Sequence, residues 1–235
     1  MAAPGYERAM TSTRDSSPRD LRSLFDDKPA VAQRQTIIVA AQQPSSRVLL
    51  LASGWAARER VLATDRRAIL DIYLPGDFVG LDHLFLDRAP DNVLALTTIG
   101  YHSVDVEVLR QTLSSSPALC LELSRHLAEE KRRVDRLATR TALLSAAERT
   151  AAGLHHVCER LSARGANLDC DARVAFKLPL TQQQLASYLG LHVMHLSRTL
   201  RTLRAKEVLK VERGEIVIED PSRLAGFDKE IARLA

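Results

Sequence analysis

The chain has 235 residues, room for one large domain or two modest ones. Its 46% hydrophobic and 26% charged residues make a soluble globular mix, and 4% aromatics leave the cores to Leu, Val, Ile and Ala. A net charge of +4 permits a nucleic-acid partner without requiring one, while no apolar run approaches the ~20 residues of a membrane helix and no signal-peptide core stands at the start.

Residues 1–28 open polar and rich in Pro and Ser, and read as a mobile tail. From about residue 30 to 110 the pattern is strand-like. RVLLLASGWAARERVL reads as two strands about Gly54. In RRAILDIYLPGDFVG, Ala68, Leu70, Ile72 and Leu74 alternate, the mark of a half-buried strand, until Pro75-Gly76-Asp77 supplies a turn. DNVLALTTIGYHSVDVEV predicts two more strands about Gly100. Short strands at this spacing suggest a small β-sandwich or barrel.

Residues 117–144 predict the longest helix, about 28 residues or some 40 Å, with Pro117 in its first turn. Leu123, Leu127, Glu130, Val134, Leu137, Thr141 and Leu144 recur at alternating spacings of four and three, an a/d seam. It could pack on its own domain. The helix's length and the charged flanks favour a second copy of the chain.

Residues 145–164 predict another helix, with Ser145 and Glu148 as a capping box and Gly165 closing it. Its Cys158 beside His155 and His156 reads more simply as a small apolar contact than as a redox or metal site. Cys170 falls in a polar stretch where oxidation is conceivable. Three cysteines, Cys120, Cys158 and Cys170, are scattered and odd in number, which points to a reducing cytoplasm rather than a disulfide scaffold.

LTQQQLASYLGLHVMHLSRTLRTLRAKEVL, residues 180–209, predicts two short helices hinged at Gly190. Thr181 and Gln184 form a second capping box. On the second helix, at 100° per residue from Val193, Leu196, Leu200 and Leu203 fall at about 300°, 340° and 280°. Arg201, Met194 and Arg198 fall opposite, at about 80°, 100° and 140°, with Val193, Ser197 and Arg204 beside them. A helix in the major groove needs such a face: donors for guanine edges, apolar atoms for thymine methyls, cations for phosphates. VLKVERGEIVIED then reads as a β-hairpin, which turns helix-turn-helix into winged helix. Arg198, Arg201, Arg204, Lys206, Lys210 and Arg213 gather here against Glu207 and Glu212.

With these pieces in order, the chain resembles the Crp/Fnr transcription regulators over nearly all its length after residue 30. Gly54, Arg60, Arg67 and LPGDFVG are similar to the family's sensory β-roll, SAAER at 145–149 to the start of its linking helix, and residues 180–209 to its DNA-binding motif. The resemblance implies an α+β fold: a cyclic-nucleotide-binding-like β-roll (29–116), a long dimerisation helix (117–144) and a winged helix-turn-helix (145–235). It implies a cytoplasmic homodimer on a two-fold double-stranded DNA site, RNA polymerase as partner, no enzymatic activity, and a signal at the β-roll that the residues do not identify. DNA contacts then fall to Thr181, Gln182, His192, Val193, Met194, His195, Ser197, Arg198, Arg201, Arg204 and Arg213, with Arg198 reading a base.

The departures set further expectations. Many relatives carry Glu where Met194 stands, so the usual half-site need not apply. Cyclic-AMP binders of the family have Glu after the second glycine and an Arg-Ser pair for the phosphate; here Leu81 follows Gly80, and Asp91-Asn92 stand where the phosphate would lie. No cysteine precedes Cys120 to hold an iron–sulfur cluster. No cofactor or metal site is expected. Haem stays open through His83 or His102, each of which reads more simply as structural. Another class of function, a nucleotide-type sensor acting on a partner protein, fits the β-roll but not the winged helix.

Overall fold

The computed structural model describes residues 20–212 and 215–220. Eight strands come first: β1 (Ala30–Ala32), β2 (Ile37–Val39), β3 (Arg47–Ser53), β4 (Ala56–Val61), β5 (Arg67–Tyr73), β6 (Phe78–Val79), β7 (Asn92–Ala95) and β8 (Ile99–Asp105). They form two antiparallel four-stranded sheets, β1-β8-β3-β6 and β2-β7-β4-β5. Helices α1 (Val106–Ser115), α2 (Pro117–Leu143) and α3 (Ala146–Ser162) follow. The rest is β9 (Val174–Lys177), α4 (Gln182–Tyr188), α5 (Val193–Ala205), β10 (Leu209–Glu212) and β11 (Glu215–Ile218), with the last strands in a sheet ordered β10-β11-β9.

Alternation in β3 explains the layering. Leu49 and Leu51 enter the core between the sheets with Tyr73, Val79, Val93 and Ile99. Val48 and Leu50 point the other way, into a core closed by Leu109, Leu119 and Leu123 of α1 and α2. The segment between turns is therefore apolar on both faces.

Several expectations need correction. Residues 20–28 are not tail: Leu21 and Phe25 are buried in that second core, and Asp20 caps a 310 turn by accepting from Ser23 N at 2.8 Å. The remainder of the expected tail, 1–19, lies outside the described residues. In β5 the half-buried alternation fails, because the pairing register slips between Arg58 and Glu59. Ile69 takes the inward site with Ile72 and Leu74, Ala68 is exposed, and Asp71 is buried. Gly100 is not a turn but lies within β8, paired with Ser53. A Cβ there would stand 2.8 Å from Ser53 Oγ, which instead accepts from Gly100 N at 3.0 Å. Strands β1, β2, β6 and β9 are too short to carry a pattern of their own.

The outer face of the second sheet is not solvated. Ala57, Ile69, Ile72 and Leu74 share one core with Leu154 and Val157 of α3 and with Leu185, Leu189 and Leu196 of the helical hairpin. The β-roll and the C-terminal part thus meet through buried apolar surface. Where α3 passes the hairpin, Gly153 admits Leu189; a Cβ would stand 2.4 Å from Leu189 Cδ2.

The cysteines also depart from expectation. Cys158 is wholly buried on α3, but it is disulfide-bonded to Cys170 rather than a free apolar contact. Gly165, at φ +85°, turns the chain back after α3 so that residues distant by 12 in sequence meet. Cys120 is free and exposed.

Candidate nucleic-acid interface

Local chemistry starts both helices of the hairpin. Thr181 Oγ1 accepts from Gln184 N at 3.2 Å, while Gln184 Oε1 accepts from Thr181 N at 2.9 Å, the reciprocal capping box. His192 caps α5, its Nδ1 accepting from Met194 N at 3.4 Å. Gly190 takes φ +64° between them. Arg149 of α3 locks that turn, donating to Gly190 O at 2.9 Å and to Thr141 O at 2.8 Å and Leu144 O at 3.1 Å at the end of α2.

The expected faces of α5 are observed. Leu196 and Leu203 are buried and Leu200 packs beside them. Met194 is 59% exposed, and His192, His195, Arg198, Arg201 and Arg204 are exposed with it. Thr181 and Gln182 stand exposed at the start of α4. Ser197 is half-buried at the edge, and Val193 leans on the core rather than standing clear. Arg213 lies outside the described residues. Of the described residues, all but half-buried Ser197 and the turned-in Val193 are exposed.

The wing is braced by Glu219, which accepts from Lys210 at 2.7 Å and from Arg173 at 2.5 Å. These cations hold its carboxyl down at about 2.

The expected dimer seam divides. Leu123 is 5% exposed and Leu127 packs with it in the β-roll's own core. Glu130 accepts from Arg58 of β4 at 2.8 Å, and burial raises its pKa against the pull of Arg58 and Arg133. These three face the chain itself, because the apolar stripe of α2 is what closes the core beneath α1. Further along, Val134 is 39% exposed, Thr141 is exposed, and Leu137 and Leu144 are half-buried.

Sequence reasoning missed the charged junction between the β-roll and α3. Asp71 of β5 accepts from Arg133 of α2 at 2.8 Å and lies 3.5 Å from Arg160 of α3. Asp77, in the turn after β5, accepts from Arg160 at 2.7 Å and also from Arg164. Arg160 further donates to Ile72 O at 2.8 Å. Burial pushes the Asp71 carboxyl up, but Arg133 and Arg160 outweigh it and hold it below the ordinary range. The i, i+4 pair Arg160 and Arg164 was the one visible signal, and nothing local tells an inward arginine from a solvated one. A second link joins the hairpin to the β-roll: Ser187 Oγ of α4 accepts from Ile69 N at 2.8 Å.

The region where the family resemblance would put a nucleotide leaves little open space. Asp91 accepts from Arg60 at 2.6 and 3.1 Å and lies 4.0 Å from Arg58. The cavity among Arg58, Tyr73, Gly80, His83 and Asp91 measures about 10 Å³. His83 is buried, its Nδ1 2.9 Å from Arg47 O and 2.8 Å from Ser45 Oγ. His102 Nδ1 lies 2.5 Å from Asp26 O. Among the described residues no group of three or more His, Cys, Asp and Glu could hold a metal ion, and no helix is long and apolar enough to cross a membrane.

Comparison with known proteins agrees with this architecture. Residues 30–116 match the model of the cyclic nucleotide-binding domain, and residues 148–227 that of the Crp-like helix-turn-helix domain. The chain is 28% identical to the anaerobic regulatory protein of Pasteurella multocida over 200 residues, covering 85% of this chain and 71% of that one. It is 26% identical to the fumarate and nitrate reduction regulatory protein of Vibrio cholerae over 219 residues, 92% of this chain and 85% of that one. Among solved structures, FixK2 of Bradyrhizobium japonicum superposes with a TM-score of 0.75 at 22% identity, covering 85% of this chain and 96% of that one, a likeness of fold. The helix-turn-helix match sets aside the sensor of a partner protein as the function. The chain belongs to the Crp/Fnr family and is a DNA-binding transcription regulator.

Proposed function

We propose that the protein acts in the cytoplasm as a homodimer on a two-fold DNA site without taking a cyclic nucleotide. One observation carries the DNA geometry: α5 turns Met194, Arg198 and Arg201 outward from a buried leucine stripe while caps and Arg149 fix its start. Each protomer lays α5 in a major groove, the two about 34 Å apart, one DNA turn. Arg198 reads a base edge; Arg201, Arg204 and Lys206 neutralise phosphates. Val134, Leu137 and Thr141 of α2, with Leu144 just after it, meet the partner, since Leu123, Leu127 and Glu130 are engaged within the chain.

Asp91 and the small cavity support independence from nucleotide: a carboxylate bonded to Arg60, with Arg58 4.0 Å away, repels a phosphate and occupies the nearby cation. The ring contacts of His83 and His102 equally favour structural roles over haem ligation. Bound at a promoter, the dimer would present its surface to RNA polymerase. Selection from a random duplex pool with no added effector tests the reading. Recovery of a two-fold sequence supports it; recovery only after cyclic nucleotide is added overturns the ligand-free part.

A further inference from the structure

The Cys158–Cys170 bond lies outside the DNA-reading surface and joins α3 to the connection that leads into β9. Cys158 is wholly buried in the core beside Leu154 and Val157. Cys170 is half-buried and sits in the connection between α3 and β9. It lines a cavity of about 400 Å³ with His155, Glu159, Ser162, Leu168 and Asp169. The lining mixes apolar Ala163 and Leu168 with polar groups that include the carboxylates Glu159, Asp169 and Asp171, and the cavity is wide enough for a small hydroxylic oxidant.

The start of that connection is bonded to α3 through Ala163 N to Glu159 O at 2.9 Å, Arg164 N to Leu161 O at 3.1 Å, Gly165 N to Ser162 O at 3.0 Å, Ala166 N to Leu161 O at 3.2 Å and Ser162 Oγ to Leu168 O at 2.8 Å. Arg164 also donates to Pro75 O and Asp77, Leu168 packs against the core, and Arg173 donates to Glu219 at the far end. The disulfide adds a covalent tie in the middle. Directly beyond, β9 pairs with β11 (Val174 with Ile218), β11 pairs with β10 (Ile218 with Leu209), and β10 follows α5. The disulfide therefore adds a covalent link between α3 and the wing sheet to the core that Leu154 and Val157 already share with Val174, Ile218 and Leu196.

We propose that Cys158 and Cys170 form a reversible oxidation site, addressed by a hydroperoxide, whose oxidised state raises DNA affinity by pre-setting the wing against α3. This rests on the DNA-binding reading. The Cys170 thiolate attacks one peroxide oxygen; the O–O bond breaks, and the departing hydroxide (or alkoxide) takes up a proton. The Cys170 sulfenic acid is then attacked by the Cys158 sulfur, the S–S bond forms, and hydroxide leaves with the Cys158 proton as water. Two thiols lose two protons and two electrons; hydrogen peroxide takes them up and becomes two waters. A dithiol reductant reverses the step by exchange.

The test uses the full chain, reduced with dithiothreitol or treated with stoichiometric hydrogen peroxide, and a duplex selected as above. The expected results are an intrachain disulfide by peptide mapping, a melting temperature higher by at least about 5 °C, and duplex affinity at least about threefold tighter, all reversed by reductant. Cys170→Ser should show none of these responses and Cys120→Ser all of them. Cys158→Ala gives the same answer as Cys170→Ser without placing a hydroxyl in the core, and the reductant titration of the wild-type chain needs no variant. No Cys158–Cys170 bond under peroxide overturns the proposal. So does a bond with its thermal shift but equal affinity in both states, which leaves DNA binding intact. Absence of duplex binding in both states overturns the DNA-binding reading as well.

Discussion

Arg160 of α3 donates to Asp77 of the β-roll at 2.7 Å, and both side chains are buried. Asp77 also accepts from Leu74 N at 2.7 Å, so the same carboxylate shapes the turn and receives the helix. Removing one partner of a buried pair strands the other charge. Asp77→Ala is expected to lower unfolding free energy by about 3 kcal/mol, measured by denaturant titration. Asp77→Asn, which keeps the turn bond, should lose less. Equal, negligible losses would show that the junction contributes nothing.

Asp71 predicts a pH dependence. Its folded carboxyl is held below the ordinary range, so the folded state binds fewer protons than the unfolded one. The stabilisation is full above an unfolded value of about 4 and is lost as pH falls below it. Glu130 has the opposite sign, its folded value raised by burial, so acid relieves rather than adds to its cost. Denaturation midpoints measured from about pH 6 down to 3 should fall steeply at the acid end, and less steeply in Asp71→Asn.

Arg198→Ala should remove about 1–3 kcal/mol of discrimination between selected and scrambled duplex in a competition assay. A uniform weakening on both would make Arg198 a phosphate contact.

If about four cations per protomer neutralise phosphates, log affinity of the dimer should fall against log salt with a slope of about −7. Arg201→Ala should flatten that slope by about one to two without changing sequence preference.

Gly190→Ala places a Cβ at φ +64°, 3.3 Å from Thr141 Oγ1. The left-handed backbone costs about 1–2 kcal/mol, and melting temperature should fall accordingly. Val134→Glu tests the outer part of the seam: sedimentation should show monomers with an unchanged circular dichroism spectrum.

Much of this architecture was legible because its signals are local. The two capping boxes, Gly190, the leucine stripe of α5 and Pro117 at the start of α2 each act within a turn or two of helix, and each is found where its spacing placed it. What escaped depends on distant partners. Whether Leu123 meets a second chain or its own β-roll is decided by Val48 and Leu50, far back in sequence. Asp71 breaks the alternation of β5 because Arg133 and Arg160 await it. Cys158 and Cys170 looked unrelated because the intervening turn, not their spacing, brings them together.

The Ser187 hydroxyl has a consequence for chain integrity. β5 is the outermost strand of its sheet, and Ile69 N, which faces away from β4, is satisfied by Ser187. The DNA-binding hairpin thereby shields an exposed strand edge that would otherwise template pairing with another chain. A protein cleaved after α2 would bare that edge together with Ile69, Ile72 and Leu74, and should aggregate beyond the dimer where the intact chain does not. The part that reads DNA is therefore also the guard against aggregation for the part that does not.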